Sequence, residues 1–186
     1  MAATKIEASN IAAGAVASTG FTSVQVFTAA ATWTRPTDIT KVLVFITGGG
    51  AAGTYISGQE GQGGGAGGTA IKFLDVSAIS SVAVTIGSGG LDTGTGSSPS
   101  FGNAGGASAF CGAPATVHCT AGGGAIGTSQ RLPGVGGVGA SGDLDIKGGT
   151  GSYAAQGNGG SSFWGGGTSF GYNSGYVSPA GVGAFG

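Results

Sequence analysis

Runs of glycine interrupt nearly every apolar segment of this sequence, and they limit what the chain can fold into. There are 45 glycines among 186 residues, against a usual share of roughly 7%. Glycine loses the most backbone freedom on folding, so an ordered chain uses it where φ is positive or where backbones approach closely. Many of these glycines should occupy such positions, and burial between the chains of an oligomer is a further expected source of stability.

The segment 40–50, TKVLVFITGGG, contains the most apolar stretch of the chain. Val42, Val44 and Ile46 alternate with Leu43, Phe45 and Thr47. A pleated strand would therefore present apolar side chains on both faces, which is typical of a central strand covered on two sides. The glycines from Gly48 onward should end this strand, because they offer no side chains to pack.

Three further segments of the first half have strand character. Segment 21–34 alternates β-branched and aromatic residues with polar ones, and 70–76 and 82–86 are short apolar runs separated by a polar turn. The turn at 35–38, which contains Pro36, predicts that 40–47 returns as the antiparallel neighbour of 21–34. Four strands with short turns favour a small antiparallel β-sandwich or jelly-roll-like core. Beyond residue 20 no segment shows the 3.6-residue period of an amphipathic helix, so we predict essentially no helix there.

Beyond residue 90 the predicted strands are shorter, and glycine separates them. Segment 134–139 reads GVGGVG, a three-residue period that places Val135 and Val138 on one edge. Rods of the polyglycine II or polyproline II type have this period and no internal hydrogen bonds, so neighbouring rods must supply the bonds. We therefore expect a lattice of glycine rods here. Segment 142–149 predicts one clear strand with Leu144 and Ile146 on one face.

Residues 1–20 are small and weakly apolar, with Ile6, Ile11 and Val16 spaced by five. A helix this short and interrupted by glycine is marginal alone. An arm for attachment or oligomerisation is the preferred interpretation, and a frayed terminus is the alternative. The expected organisation is thus an arm at 1–20 and an all-β, glycine-rich domain at 21–186, with a strand-rich core at 21–90 and a loop and rod region at 91–186.

The charge pattern excludes several classes of partner. Six Lys and Arg residues and a net charge of −1 form no basic stripe for nucleic acid and no polybasic membrane anchor. The first 20 residues lack the apolar core of a signal peptide, and the longest apolar run, 42–46, is too short to span a membrane. We expect synthesis in a cytoplasm and no membrane insertion.

Few residues of the chain are suited to catalysis. His118 is the sole histidine, so general-base catalysis would depend on it alone, and a structural role near a strand end is the alternative. No GxxxxGK[ST] phosphate-binding motif occurs, and scattered glycine triplets match looser motifs by chance. The sequence predicts no catalytic residue, no cofactor and no enzyme activity.

Two pairs of residues leave alternatives open. Cys111 and Cys119 flank a predicted hairpin turn, where they would be reduced thiols, a late disulfide or part of a metal site with His118. Asp143 and Asp145 resemble calcium ligands but fall out of register with the glycines of calcium β-rolls, so a solvated strand face is the other interpretation. We predict no metal site.

Several motifs occur in a fixed order between residues 21 and 178. The first motif runs from Phe27 to the corner Thr34-Arg35-Pro36, and the second is the apolar segment 41–44 that leads to Gly48–Gly50. The later motifs are segment 84–90 with SSPSFG at 97–102, GDLDIKGG at 142–149 and GGSSFWGGG at 159–167. This order resembles the glycine-rich domain of tailed-bacteriophage tail-fibre and receptor-binding proteins, and residues 1–20 are similar to connecting segments of trimeric phage fibres. The resemblance implies a homotrimeric virion protein, exposed on the particle surface, whose first 20 residues dock on other virion proteins.

Aromatic residues concentrate in the last quarter of the chain at Tyr153, Trp164, Phe170, Tyr172 and Tyr176. They either form a core or line an exposed surface that binds a host glycan or outer-membrane protein. Tyr153, Trp164, Tyr172 and Tyr176 are the predicted receptor contacts, because Trp and Tyr tolerate a wet edge. A receptor-binding adhesin is the first functional hypothesis, and a purely structural virion component such as a head fibre, plug or adaptor is the second.

Overall fold

The computed structural model describes residues 21, 23–55, 61–92, 100–112, 116–127, 132–153 and 157–167. Along these residues the chain forms strands only, as the all-β prediction requires, and no helix of this part is long and apolar enough to cross a membrane. The strands are β1 (Ala31–Thr34), β2 (Lys41–Thr47), β3 (Thr54–Tyr55), β4 (Thr69–Asp75), β5 (Ser81–Thr85), β6 (Ser100–Phe101), β7 (Ser108–Gly112), β8 (Thr116–Ala121), β9 (Gly139–Ala140) and β10 (Leu144–Ile146).

Two antiparallel sheets pack face to face around the apolar core. One has the order β1-β5-β7-β8-β9 and the other the order β10-β4-β2, while β3 and β6 form a separate pair. Trp33 of β1 and Phe110 of β7 enter the core from the larger sheet, with their ring centroids 5.9 Å apart. Ile46 and Ala70 enter it from the smaller sheet. The remaining buried members are Val76, Val82, Val84, Cys119 and Ala121.

The predicted pairing of the first two strands was wrong. β1 pairs with β5, and β2 pairs with β4 and lies at the edge of the smaller sheet, so β2 is not the central strand we expected. The turn at 35–38 carries the chain from one sheet to the other. Across the core β2 faces β7 and β8, whereas β1 lies at the edge of the larger sheet.

Segment boundaries were predicted with uneven success. β4 and β5 lie within one residue of the predicted segments 70–76 and 82–86, whereas β10 occupies only Leu144–Ile146 of the predicted segment 142–149. The first predicted strand was too long, because among the described residues of 21–34 only Ala31–Thr34 form a strand. Val24 and Val26, which precede it, are highly exposed, and no strand of the described residues pairs with them.

Most strands continue directly into, or follow, a short extended glycine-rich segment, which we call a rod. The rods are rod 1 (48–52), rod 2 (63–68), rod 3 (87–91), rod 4 (102–106), rod 5 (122–125), rod 6 (134–138), rod 7 (148–152) and rod 8 (157–161). Rods 1, 3, 5 and 7 follow β2, β5, β8 and β10, and rods 2, 4 and 6 precede β4, β7 and β9. The sandwich therefore occupies one end of the molecule and the rods extend from it, with strands and rods contributed by both 21–90 and 91–186.

Rod 2 lies at the centre of this lattice and is hydrogen-bonded to its neighbours at intervals of three residues. It donates to rods 5 and 7 and accepts from rods 1, 6 and 8, which is the pattern of polyglycine II rods. The bonds are Gly65 N to Ala125 O, Gly68 N to Gly122 O, Gly63 N to Ser152 O, Ala66 N to Gly149 O, Ala51 N to Gly65 O, Gly48 N to Gly68 O, Gly134 N to Gly63 O, Gly137 N to Ala66 O and Gly160 N to Gly64 O, all between 2.8 and 3.0 Å. The predicted lattice is confirmed and also includes the first half of the chain.

Glycine is required in the lattice because the backbones of adjacent rods nearly touch. A Cβ added to Gly67 would lie 1.8 Å from the carbonyl oxygen of Gly48, far inside any allowed contact. The valines of the GVGGVG segment, Val135 and Val138, which the sequence predicts on one edge, are both exposed. Little more than glycine is therefore admitted where rods meet, and the one side chain of rod 2, the methyl group of Ala66, is buried.

Candidate functional site

Tyr153 lies at the end of the lattice farthest from the sheets, immediately after rod 7. It forms an isolated antiparallel bridge with Gln62, and 36% of its surface is exposed. Gln62 in turn bridges Thr54, with hydrogen bonds of 2.9 and 3.0 Å between their backbones. Tyr153, a predicted receptor contact, is therefore held by a bridge to Gln62, which is itself held by a bridge to Thr54.

We call the group Thr54, Gln62, Gly127, Leu132 and Tyr153 the rod end. Thr54 and Gln62 are buried, and the hydroxyl of Thr54 donates to the carbonyl oxygen of Gly127 at 3.1 Å. Leu132 and Tyr153 are exposed. The rod end thus combines a buried, hydrogen-bonded polar floor with an exposed aromatic and an exposed aliphatic side chain.

Asn158, at the start of rod 8, holds rod 8 against rod 7 beside the rod end. Its backbone amide donates to the hydroxyl oxygen of Ser152 at 2.8 Å, and its carbonyl accepts from Ser152 N at 2.8 Å. Its side-chain Oδ1 is buried without a hydrogen-bond partner. Tyr153 follows Ser152 directly, so these bonds also fix the position from which the tyrosine projects.

Trp164 lies at the opposite end of rods 7 and 8, next to the sheets. Its indole Nε1 donates to the hydroxyl of Thr47 at 2.8 Å. The centroid of its ring lies 5.7 Å from that of Phe45 and 4.8 Å from that of Phe163. Rod 7 separates Trp164 from Tyr153 by roughly 15 Å at about 3.1 Å per residue. The structure therefore does not bring these two predicted receptor contacts together.

The other predicted contacts lie outside the described residues. They are Tyr172 and Tyr176 of the receptor surface and Ile6, Ile11 and Val16 of the attachment arm.

An apolar surface that the sequence analysis did not single out covers the side of the smaller sheet that faces away from the core. We call it the outer face; it consists of Leu43, Phe45, Ile71, Phe73, Leu144 and Ile146. Cross-strand partners in register place these residues on one side, since Leu43 lies opposite Phe73, and Ile71 lies opposite both Phe45 and Leu144. Phe45, Phe73 and Leu144 are 47%, 55% and 54% exposed. The sequence already contained this signal, because Leu43 and Phe45 form a second set of alternating apolar residues in segment 40–47.

The two cysteines lie on adjacent strands of a hairpin, as predicted, and both are free. A bulge at His118 places Cys119 opposite Phe110 and Val117 opposite Cys111. Neighbouring residues of a strand point to opposite faces, so Cys119 points into the core and Cys111 away from it. The hairpin therefore does not present the two thiols to each other.

Burial alters the chemistry of Cys119. Desolvation raises the pKa of this thiol to about 11, partly offset by the positive charge of Lys72. His118, at the bulge, is half-buried with its ring 6.0 Å from Phe110, and its Nε2 has no hydrogen-bond partner. Among the described residues no three His, Cys, Asp or Glu side chains come together as a group that could hold a metal ion.

Asp143 and Asp145 bind backbone amides around the turn into β10. Asp143 Oδ2 accepts from Phe73 N at 2.7 Å, and Asp145 Oδ1 accepts from Gly142 N at 3.0 Å. Lys72 Nζ lies 3.9 Å from Asp143 Oδ1 and donates to the carbonyl of Ser141 at 2.8 Å. These carboxylates thus stabilise the turn.

Comparison with known proteins identifies one family. The sequence model of a family described as a glycine-rich domain matches residues 23–186. A search of curated proteins finds no match.

Proposed function

The chain belongs to the glycine-rich domain family, and we propose that it is a bacteriophage virion protein whose rod end binds a structure on the surface of the host cell. The resemblance of its ordered motifs to phage tail-fibre domains supports the virion assignment. The proposal keeps the expected homotrimer, with Ile6, Ile11 and Val16 in the arm that attaches the chain to other virion proteins.

The observation that carries the receptor-binding role is the construction of the rod end. Its residues are the ends of rods 1, 2, 5, 6 and 7, which are cross-linked by backbone hydrogen bonds along their length. A surface held this way loses little conformational freedom on binding, and preorganisation of this kind favours affinity.

The chemistry of the rod end suits a carbohydrate or a polar protein loop. Tyr153 offers a flat ring with a hydroxyl, and Leu132 offers an apolar contact. A tyrosine ring stacks on the apolar face of a sugar while its hydroxyl bonds to water or ligand. Tyr153 is therefore the central contact of the proposed surface.

Binding to cells tests this function. Labelled protein is incubated with a panel of bacterial strains and with their purified surface polysaccharides, and retention is measured after washing. Wild-type protein should be retained by at least one strain, and Tyr153→Ala should reduce that retention at least tenfold. Val135→Ala is the matched control, because Val135 is also exposed but lies on the side of the lattice.

Two results would contradict the proposal. One is retention of folded Tyr153→Ala at the wild-type level, which would move any receptor contact away from the rod end. The other is no retention of the folded wild-type protein by any strain of the panel.

A structural virion component without receptor binding is the second candidate. It is favoured by segment 23–30, where the exposed Val24 and Val26 alternate with polar residues next to the expected arm. An extended apolar segment of this kind is suited to pairing with another chain of a particle. Failure of cell binding together with stable incorporation into particles would support this candidate.

A further inference from the structure

We infer that the C-terminal segment 168–186 of this same chain covers the outer face of the smaller sheet. The inference is independent of receptor binding and concerns a surface remote from the rod end. It begins from the unusual chemistry of that face. An antiparallel sheet with one wet side normally carries polar residues there, yet Phe45, Phe73 and Leu144 are each about half exposed.

The rim of the outer face shows what kind of occupant it can accept. The ammonium of Lys41 lies 5.7 Å from the centre of the Phe73 ring, at the end of the sheet where β2 begins. The middle of the face, with Phe45, Ile71 and Leu144 in register, carries only apolar side chains. An apolar or aromatic strip without charges is therefore the complementary partner.

The chain itself begins to cover this face in the residues just before the segment. Trp164 packs on Phe45 and bonds to Thr47 at the other end of β2. Gly167 N donates to the hydroxyl of Ser161 at 3.1 Å, which holds the last described residue beside rod 8. Segment 168–186 thus begins four residues after Trp164, which already packs on the outer face.

The composition of segment 168–186 matches what the face requires. It contains no charged residue and carries the apolar or aromatic side chains of Phe170, Tyr172, Tyr176, Val177, Val182 and Phe185. The family match extends to residue 186, so this segment is part of the same domain. Tyr172 and Tyr176 would then contact the sheet, and the receptor proposal depends on Tyr153.

Length and tethering also favour this occupant over a second copy of the chain. Roughly 20 extended residues at about 3.3 Å each reach roughly 60 Å, whereas the three-stranded sheet measures roughly 10 Å by 23 Å. Because the segment is tethered to the sheet, its effective concentration at the outer face is on the order of millimolar, as for a short flexible linker. A separate molecule reaches such a concentration only in concentrated solution.

Hydroxyl-radical footprinting of the full chain tests the inference directly. Side-chain oxidation of Phe45 and Phe73 is compared with that of Leu132, which is exposed at the rod end. Cover by the chain's own segment predicts that both phenylalanines are oxidised at least threefold more slowly than exposed phenylalanine standards. This protection should remain constant over a hundredfold dilution.

A full-length variant with Phe170, Tyr172 and Tyr176 changed to Ser supplies the second arm. Oxidation of Phe45 and Phe73 should rise at least threefold in this variant, while oxidation of Leu132 stays unchanged. Full oxidation of both phenylalanines in the wild-type chain would overturn the inference without any variant. Protection that disappears on dilution, or that survives in the variant, would also overturn it and assign the face to a second copy or another partner.

Discussion

At the scale of single residues, two non-glycine positions of the described chain adopt positive φ. Asp38 has φ 67° and Ser141 has φ 62°. Asp38 completes the turn that begins with Pro36 and transfers the chain from β1 to β2, so the turn between the two sheets depends on a conformation that most residues resist. Aspartate tolerates it better than most side chains do.

This conformation predicts a defined order of stability among variants at position 38. Asp38→Gly should leave stability unchanged or slightly higher, whereas Asp38→Val should lower the free energy of unfolding by about 1–2 kcal/mol, because a side chain branched at Cβ resists positive φ and lacks the polar group with which aspartate bonds locally. Urea denaturation measures both. Thr37→Val, at a neighbouring residue without positive φ, is the control and should change little; an Asp38→Val protein as stable as wild type would refute this account of the turn.

Cys119 provides a second prediction at this scale. Because burial raises its pKa from 9.0 to about 11, the folded protein should contain almost no Cys119 thiolate at pH 8, and Cys111 should be the thiol that reacts with a disulfide reagent. Cys111→Ser should therefore abolish fast labelling until the chain is unfolded. Fast labelling of the folded Cys111→Ser protein would contradict the burial of Cys119.

The same shift has a consequence at alkaline pH. A folded-state pKa above the unfolded one stabilises the fold fully below pH 9.0, and this contribution is lost as the pH rises through about 11. Wild-type stability should therefore fall between these values more steeply than that of Cys119→Ala, measured by urea denaturation at each pH.

At the scale of elements, the sequence patterns predicted which segments form strands and which of their faces are apolar, but they did not predict which strands pair with each other. Alternation predicted β2, β4, β5 and β10, because it records which side chains are apolar, but it contains no information on which strand lies alongside. β1 was therefore paired with β2 instead of β5. Likewise, the period of GVGGVG revealed rod 6, whereas rod 2, the centre of the lattice, contains only glycine and one alanine and shows no pattern.

The site was predictable to a smaller extent for a related reason. Tyr153 was among the predicted contacts because aromatic residues concentrate in the last quarter of the chain and tyrosine tolerates a wet edge. Its separation from Trp164 depends on how rods 7 and 8 run against each other, which is fixed by backbone bonds such as Gly149 N to Ser161 O at 2.8 Å. Hydrogen bonds between glycine backbones involve no side chain, so the pattern of side chains in the sequence could not predict them.

Two glycine substitutions test the lattice as an element. Gly67→Ala would place Cβ 1.8 Å from Gly48 O and 2.4 Å from its carbonyl carbon, both backbone atoms. We expect it to lower the free energy of unfolding by about 1–3 kcal/mol or more, as overpacking does. Gly89→Ala, whose Cβ would meet nothing within 4 Å, is the matched control and should be neutral or stabilising by roughly 0.4–1 kcal/mol. Equal urea midpoints for the two variants would show that the rods are not closely packed.

At the scale of the whole molecule, the sandwich and the lattice share their chain segments. β2 becomes rod 1 at Gly48, rod 2 becomes β4 at Thr69, and β8 becomes rod 5 at Gly122. A change in the position of one rod must therefore shift the strand attached to it. The buried core is small and made largely of valine and alanine apart from Trp33 and Phe110, so the lattice should contribute substantially to the stability of the sandwich.

This continuity predicts a single cooperative unit, which native-state amide exchange can measure. The bonded amides of Gly65 and Gly68 in rod 2 should exchange with the same free energy of opening as the strand amides flanking the core, because neither part can open without the other. Gly67→Ala should then reduce protection equally in rods and strands, although its clash lies wholly within the lattice. Rod amides that exchange at a lower free energy, or a variant that loses protection only in the rods, would instead mean that the sandwich folds first and the glycines pack onto it as a separate layer.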